Sequence, residues 1–377
     1  MSNLQTGKTV VGILYGGRSS EHEVSLRSAA SVFNRLDREK FIPRTIYIDK
    51  SGAFHWAEIP DSFSTSGEAS LPQAIQAPEV VLLPRPHRDA FGRAKGVFAF
   101  LDAAHAGKLE TVDVVIPMLH GKNCEDGTLQ GLFESAEVPY TGSGVLGSAI
   151  GMDKEIAKRL AADAGIPVVP FRTAHSWDSL QKRELLLNEV QAAFGFPVFV
   201  KAAREGSSVG VYKVKSREEF LVRLEEAFRY DSKVLIEKAI PAREIEFSVL
   251  QNSDRCKPPH VSLPAEIIPT HEFYTYDAKY NDENGAVFKL PAEISPELTQ
   301  DLTRMVEKIF SALELEGYAR VDLFLDRENG AFYLNEVNTL PGFTSISMFP
   351  KLFELSGIPY TDLLTKLIEL ALLRYQR

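Results

Sequence analysis

Near its C-terminal end the chain runs "YARVDLFLD" (318–326), "RENGA" (327–331) and "FYLNEVN" (332–338). Two alternating runs around an Asn-Gly turn predict an antiparallel hairpin. Setting Asp326 opposite Phe332 leaves a five-residue loop. That register puts Asp322 opposite Glu336 and Arg320 opposite Asn338, with Leu323, Leu325 and Val337 on the other, apolar face. Two carboxylates directly opposed across a ladder repel. A hard divalent cation would offset the repulsion, and Asp322, Glu336 and Asn338 carry the oxygens it prefers. Few protein ligands, with room left for phosphate oxygens, suit Mg²⁺ better than a Ca²⁺ cage. A solvated sheet edge is the ordinary alternative, and a one-residue slip would undo the pairing.

The rest of the chain supplies companions for such a site. Its 377 residues exceed one ordinary core. Residues 1–150 alternate strand and helix, as in "TVVGILY", "GGRSSEHEVS", "LRSAASVFNRL" and "VDVVIPMLHG", which predicts a parallel, helix-covered sheet. The stretch 57–95 is irregular and reads as a partly ordered insertion. Residues 151–240 read as a small α+β unit and 241–377 as a larger one. A net charge of −9 argues against nucleic acid as a partner. The two cysteines, Cys124 and Cys256, lack metal spacing and suit a reducing compartment. The apolar run near the start is too short for a signal or a span, so the expectation is a cytoplasmic protein with no membrane partner.

Lys201 ends a strand and precedes "REGSSVG" (204–210), whose N–H groups and hydroxyls suit phosphates, although the spacing is not that of a Walker loop. Lys154, at a helix start, is a second phosphate candidate. Either lysine alone reads as a surface residue. Glu237 and Glu246 flank a segment that an adenosine could use. "GSGVLG" (142–147) fits G-x-G-x-x-G, but no acid ends the next strand, so it reads as a domain-linking turn and not a dinucleotide fingerprint. His120 ends a strand of the first sheet, where ligands of such sheets sit.

Taken together, "GGRSSEHEVS", "HGKNCEDGTLQG", "YTGSGVLGSAIGMDK", "KAAREGSSVG", "REIEFSVL", "YDAKY", "RVDLFLD" and "NEVNTLPGFTSISMFP" resemble the D-alanine–D-alanine ligase family. The resemblance spans nearly the whole chain, least over 57–95. Cys124 stands where the family usually has Gly, and Ala202 where it often has Pro. The resemblance implies an α/β, ATP-grasp fold with a Rossmann-like N-terminal domain, and ligation of two D-alanines with ATP through a D-alanyl phosphate. It implies Mg²⁺ (or Mn²⁺), usually two ions, on Asp322, Glu336 and Asn338, and a homodimer. By the same resemblance Lys154, Lys201, Glu237, Lys238, Ala239, Ile240, Glu246, Phe273 and Lys279 serve ATP. Arg320 and the N–H of Gly342 stabilise the oxyanion. Glu23, Ser207 and Tyr280 form a hydrogen-bonded trio. His120, Lys279, Ser347 and Met348 face the amino acids. A ligase for D-serine or another amino acid, and a non-catalytic nucleotide-binding module, are the competing readings.

Overall fold

The structure is a computed structural model that describes residues 7–59, 70–269 and 285–376. Three sheets organise the chain. The first holds β1 (Thr9–Gly16), β2 (Phe41–Ile48), β3 (Phe54–Ala57), β4 (Glu79–Leu82), β5 (Gly96–Phe100), β6 (Leu109–Val112) and β7 (Val114–Met118), ordered β6-β5-β4-β3-β2-β1-β7. β1 is almost wholly buried, as a strand covered on both faces should be. It runs parallel to β2 and β7, but β2 through β6 are antiparallel. The expected parallel sheet is therefore confined to three strands. The cause is local: Asp49 Oδ1 accepts from the N–H groups of Ser51, Gly52 and Ala53 and closes a tight turn after β2. A link that short can join only antiparallel strands. Part of the stretch 57–95 is thus sheet, supplying β4 and the end of β3.

The second sheet contains β8 (Phe171–His175), β9 (Val198–Ala202), β10 (Val211–Val214) and β11 (Lys233–Lys238), ordered β10-β9-β11-β8. The third contains β12 (Ala242–Leu250), β13 (His260–Val261), β14 (Ala265–Pro269), β15 (Ala286–Lys289), β16 (Tyr318–Asp326) and β17 (Phe332–Asn338), ordered β15-β14-β12-β16-β17 with β13 on β12.

Nine helices among the described residues cover these sheets: α1 (His22–Arg35), α2 (Thr128–Ser135), α3 (Val145–Met152), α4 (Lys154–Asp163), α5 (Leu180–Ala193), α6 (Arg217–Ala227), α7 (Pro296–Ala312), α8 (Met348–Leu355) and α9 (Tyr360–Arg374). Leu363, Leu367 and Ile368 of α9 share one core with Val11, Ile13 and Val32, so the last helix closes onto the first sheet. Ala157 and Ala161 of α4 and Ile150 of α3 pack with Val321, Leu323 and Leu334 of the third sheet. Leu187 of α5 and Phe220 and Leu224 of α6 cover the second sheet. Gly147 of "GSGVLG" is backed against protein: a Cβ there would lie 2.4 Å from the Glu314 carbonyl oxygen. The motif, expected to be a domain-linking turn, instead opens α3 with its last three residues, where Gly147 is required by close packing. Among the described residues no helix is long and apolar enough to cross a membrane.

Candidate active site

On the third sheet, Ile245, Phe247, Val321, Leu323 and Leu334 point into the core. Alternation sends Glu244, Glu246, Arg320, Asp322, Phe324, Glu336 and Asn338 to the opposite face. Asp322 pairs with Glu336, and Arg320 with Asn338, as the hairpin reading required. The route to that register differs. Leu325, not Asp326, pairs with Phe332, and the Asp326 N–H bonds the Ala331 carbonyl. The turn is thus one residue shorter than expected. A bulge in β17, between Leu334 and Glu336, supplies the extra residue, Asn335. The two displacements cancel, and the bulge lets both Leu334 and Val337 face the core.

The acidic end is tightly bonded. Arg320 donates to both oxygens of Asp322 at 2.7 Å, and the Asn338 amide donates to Asp322 Oδ2 at 2.9 Å. Glu246 Oε2 lies 3.4 Å from Arg320 Nε, and Glu336 Oε2 lies 3.4 Å from Lys154 Nζ. Burial works against the Arg320 charge, but Asp322 and Glu246 more than compensate and raise its pKa. Hard oxygen donors from Asp322, Glu336 and a turned Asn338 amide fit Mg²⁺, which takes one or two carboxylates and fills its shell with water and phosphate. Among the described residues no three His, Cys, Asp or Glu side chains are grouped to hold a metal by themselves.

The second sheet faces this end with the loop 204–210. Lys154 Nζ donates to the Glu205 carbonyl at 2.7 Å, and Arg204 pairs with Asp231. Ser207 and Ser208 both adopt left-handed φ, +50° and +60°. For non-glycine residues this costs on the order of 1 kcal/mol each. Lys201 Nζ bonds Glu237 Oε2 at 2.5 Å, and Lys158 Nζ lies 2.9 Å from Glu237 Oε1. Burial pushes the Glu237 carboxyl up, but the two ammonium groups outweigh it and hold it at about 2. Glu246, which the resemblance assigns to ATP, lies at the Arg320 end. Glu244, on the same face one step along, lies in the field of Lys201.

The first sheet contributes the third wall. Ser207 Oγ donates to Glu21 Oε1 at 2.5 Å. Glu21 is buried. Glu23, the expected member of this trio, is 60% exposed and lies 4.0 Å from Lys50 Nζ and 3.2 Å from Gln73 Nε2. The assignment of Glu23 to the trio is therefore corrected to Glu21. Two positions at a helix start are about 200° apart, so the pair faces opposite ways. His120 is buried, shares a 3.2 Å bond with Ser28 Oγ, and its Nδ1 donates to the Leu340 carbonyl at 3.0 Å. Burial lowers its pKa. Glu125 accepts from the Gly121 N–H at 2.7 Å; burial and the Glu21 charge raise its pKa to about 8.

The turn after β17 is held by these residues. The Phe343 N–H donates to Ser28 Oγ at 3.2 Å, and the Tyr360 hydroxyl to the Phe343 carbonyl at 2.8 Å. Gly342 passes so close to Ser347 that a Cβ would lie 2.7 Å from Ser347 Oγ. Ser347 Oγ accepts from the Thr344 N–H at 3.0 Å. The Met348 side chain is buried against Ala265, Ile267 and Leu352, and its backbone stands at the start of α8. Lys238, Ala239 and Ile240 follow Glu237 toward β12. Phe273, Lys279 and Tyr280 lie outside the described residues. Cys124 is buried 3.6 Å from where a Gly17 Cβ would be, and burial pushes its thiol up to about 12.

The D-ala D-ala ligase N-terminus family matches residues 10–143, and the D-ala D-ala ligase C-terminus family residues 160–369. The chain belongs to the D-alanine–D-alanine ligase family. Over 98% of its length it is 47% identical to D-alanine--D-alanine ligase A of Bradyrhizobium diazoefficiens, covering 96% of that protein. The D-alanine-D-alanine ligase structure from Coxiella burnetii superposes with a TM-score of 0.80 at 34% identity, covering 98% of this chain and 95% of that one. The VanG D-Ala:D-Ser ligase from Enterococcus faecalis also gives 0.80, at 33% identity, covering 97% and 99%. This ligase family has the ATP-grasp fold, and ATP is its co-substrate. Four residues of the site were missed in the sequence: Glu21, Glu125, Lys158 and Glu244. A signal existed for Lys158, which stands four residues after Lys154 and so shares its helix face.

Proposed function

We propose that this chain joins two D-alanines into D-alanyl-D-alanine with ATP, supplying a peptidoglycan precursor in the cytoplasm as a homodimer. The observation that carries the reading is the bond between Ser207 and Glu21, which draws the phosphate loop onto the N-terminal domain. It joins the phosphate side and the amino-acid side in one cleft. Lys154 and Lys201 hold phosphates under the loop 204–210. The adenine lies along the backbone of 237–240, and Glu244, nearer Lys201 than Glu246, takes the ribose hydroxyls. Asp322, Glu336 and Asn338 would hold Mg²⁺, which would supply neutralisation of the phosphate charge.

Glu21 holds the first D-alanine's ammonium. A carboxylate oxygen of that D-alanine attacks the γ-phosphorus, and the bond to ADP breaks. The amine nitrogen of the second D-alanine then attacks the acyl carbon, and phosphate leaves with the electron pair. The amine enters neutral, and the proton it loses as the amide forms goes to the departing phosphate. Arg320 and the Gly342 N–H steady the oxyanion between these events. Lys279 and Tyr280 belong to the segment that excludes water from the acyl phosphate. Ser347 takes the second carboxylate, and the Met348 N–H adds to it.

Phosphate release from ATP–Mg²⁺ with D-alanine, D-serine, D-lactate and L-alanine offered in turn tests this. The expected outcome is D-alanine-dependent release with D-alanyl-D-alanine as product. Release that requires D-serine as second substrate would move the chain to the alternative ligase activity. Comparable turnover with D-lactate at neutral pH would contradict the dipeptide assignment.

A further inference from the structure

Behind the phosphate loop, one carboxylate is shared by two buried ammonium groups. The Lys158 side chain is 1% exposed, Glu237 2% and Lys201 12%. Lys158 reaches Glu237 Oε1 at 2.9 Å and Lys201 reaches Oε2 at 2.5 Å. Lys158 also donates to the Leu334 carbonyl of β17 at 3.1 Å. It rises from α4, which packs on the third sheet, whereas Glu237 and Lys201 belong to the second. One side chain thus crosses the junction between the two sheets that enclose the cleft. Glu336 and Glu244 are the next acids to act on this group, and both lie on the cleft face of the third sheet.

A buried carboxylate needs a counter-charge. If Lys201 were the sole partner of Glu237, moving its ammonium onto a phosphate would strand that carboxylate. With Lys158 in place, Glu237 stays neutralised whether Lys201 remains or leaves. Of the two lysines, Lys201 is the one with access to the cleft.

We propose that Lys158 is a positioning residue for the nucleoside triphosphate: it holds Glu237 from beneath, so that Lys201 can turn to the phosphates. The proposal rests on reading Lys201 as a phosphate ligand, as above. Lys158 touches neither substrate nor the reacting atoms.

The test uses full-length Lys158→Met, which keeps side-chain length and removes the charge. ADP and adenosine affinities are measured by calorimetry, beside the KM values for ATP and D-alanine. ADP affinity and the KM for ATP should each worsen about tenfold or more. Adenosine affinity and the KM for D-alanine should stay within about twofold of the parent. A loss of melting temperature with unchanged ADP affinity would mean a purely structural lysine and overturn the proposal. Lys201→Met separates the two layers. If it leaves ADP affinity intact, the phosphate assignment itself fails. If it weakens ADP while Lys158→Met does not, the positioning role alone fails. Should Lys158→Met not fold, Lys158→Gln keeps donors for Leu334 and Glu237 without the charge, and the same outcomes decide.

Discussion

The proposed nucleotide side and the proposed amino-acid side of the cleft are built differently. Lys201, Glu237, Glu244, Asp322 and Glu336 all sit on strands whose neighbours fix them by ladder register. The amino-acid side is assembled from separate pieces. Glu21 lies at the start of a helix, His120 and Glu125 after β7, Ser207 in the phosphate loop, and Gly342 and Ser347 after β17. These pieces are joined by single hydrogen bonds such as His120 to Leu340 and Phe343 to Ser28. Chemistry common to ATP-dependent ligases can rest on a rigid ladder. A pocket that must distinguish one small amino acid from another rests on loops that can vary without disturbing the sheets.

The contrast is broken most severely at the hairpin. Asp322→Asn and Glu336→Gln should each reduce ATP turnover by at least about 10²–10³-fold, the scale for losing a preorganised electrostatic group. Both should melt within a few degrees of the parent, since each replacement keeps the side-chain shape. Normal turnover in either variant would remove the metal assignment.

A smaller effect separates the two glutamates of α1 and its cap. Glu21→Gln should cost about 10–100-fold in kcat/KM for D-alanine, the scale for losing a charge-assisted bond. Glu23→Gln, at an exposed position, should stay within about twofold. A reversed order in steady-state kinetics would restore Glu23 to the trio.

The smallest effect is a pH dependence. Burial and Glu21 raise Glu125 to about 8, so above its ordinary 4.5 the unfolded chain releases a proton that the folded protein keeps. Stability associated with that proton is complete below the ordinary value and is lost as pH rises through the folded one. Glu125→Gln carries no such proton. Scanning calorimetry should show its melting temperature equal to the parent's near pH 4.5 and higher by roughly 2–4 °C at pH 8. An equal offset at both pH values would contradict the shifted carboxyl.

This contrast also explains what could be read in advance. Strand alternation made the cleft face of the hairpin legible, because Leu323 and Val337 had to be buried and Asp322 and Glu336 could not be. It did not reveal the bulge, since nothing in the identity of Asn335 marks an unpaired residue. The antiparallel extension of the first sheet hinges on the Asp49 turn, a short-range feature that the strand–helix alternation does not reveal. Glu21 and Glu23 were indistinguishable in composition; only the point at which α1 begins decides which faces Ser207. In the sequence nothing beyond its spacing from Lys154 sets Lys158 apart from an ordinary helix lysine, because its partners are about 80 and 175 residues away.

The bulge at Asn335 divides the hairpin into two parts with separate duties. Between it and the open end of the hairpin, pairings from Arg320–Asn338 to Asp322–Glu336 fix the side chains proposed to hold the metal. Beyond it, pairings from Leu323–Leu334 to Leu325–Phe332 serve the core and lead to the exposed tip at 327–330. Changes in length at that tip need not propagate to Glu336. Natural insertions, or a peptide grafted between Glu328 and Asn329, therefore have a site insulated from the chemistry by a single unpaired residue.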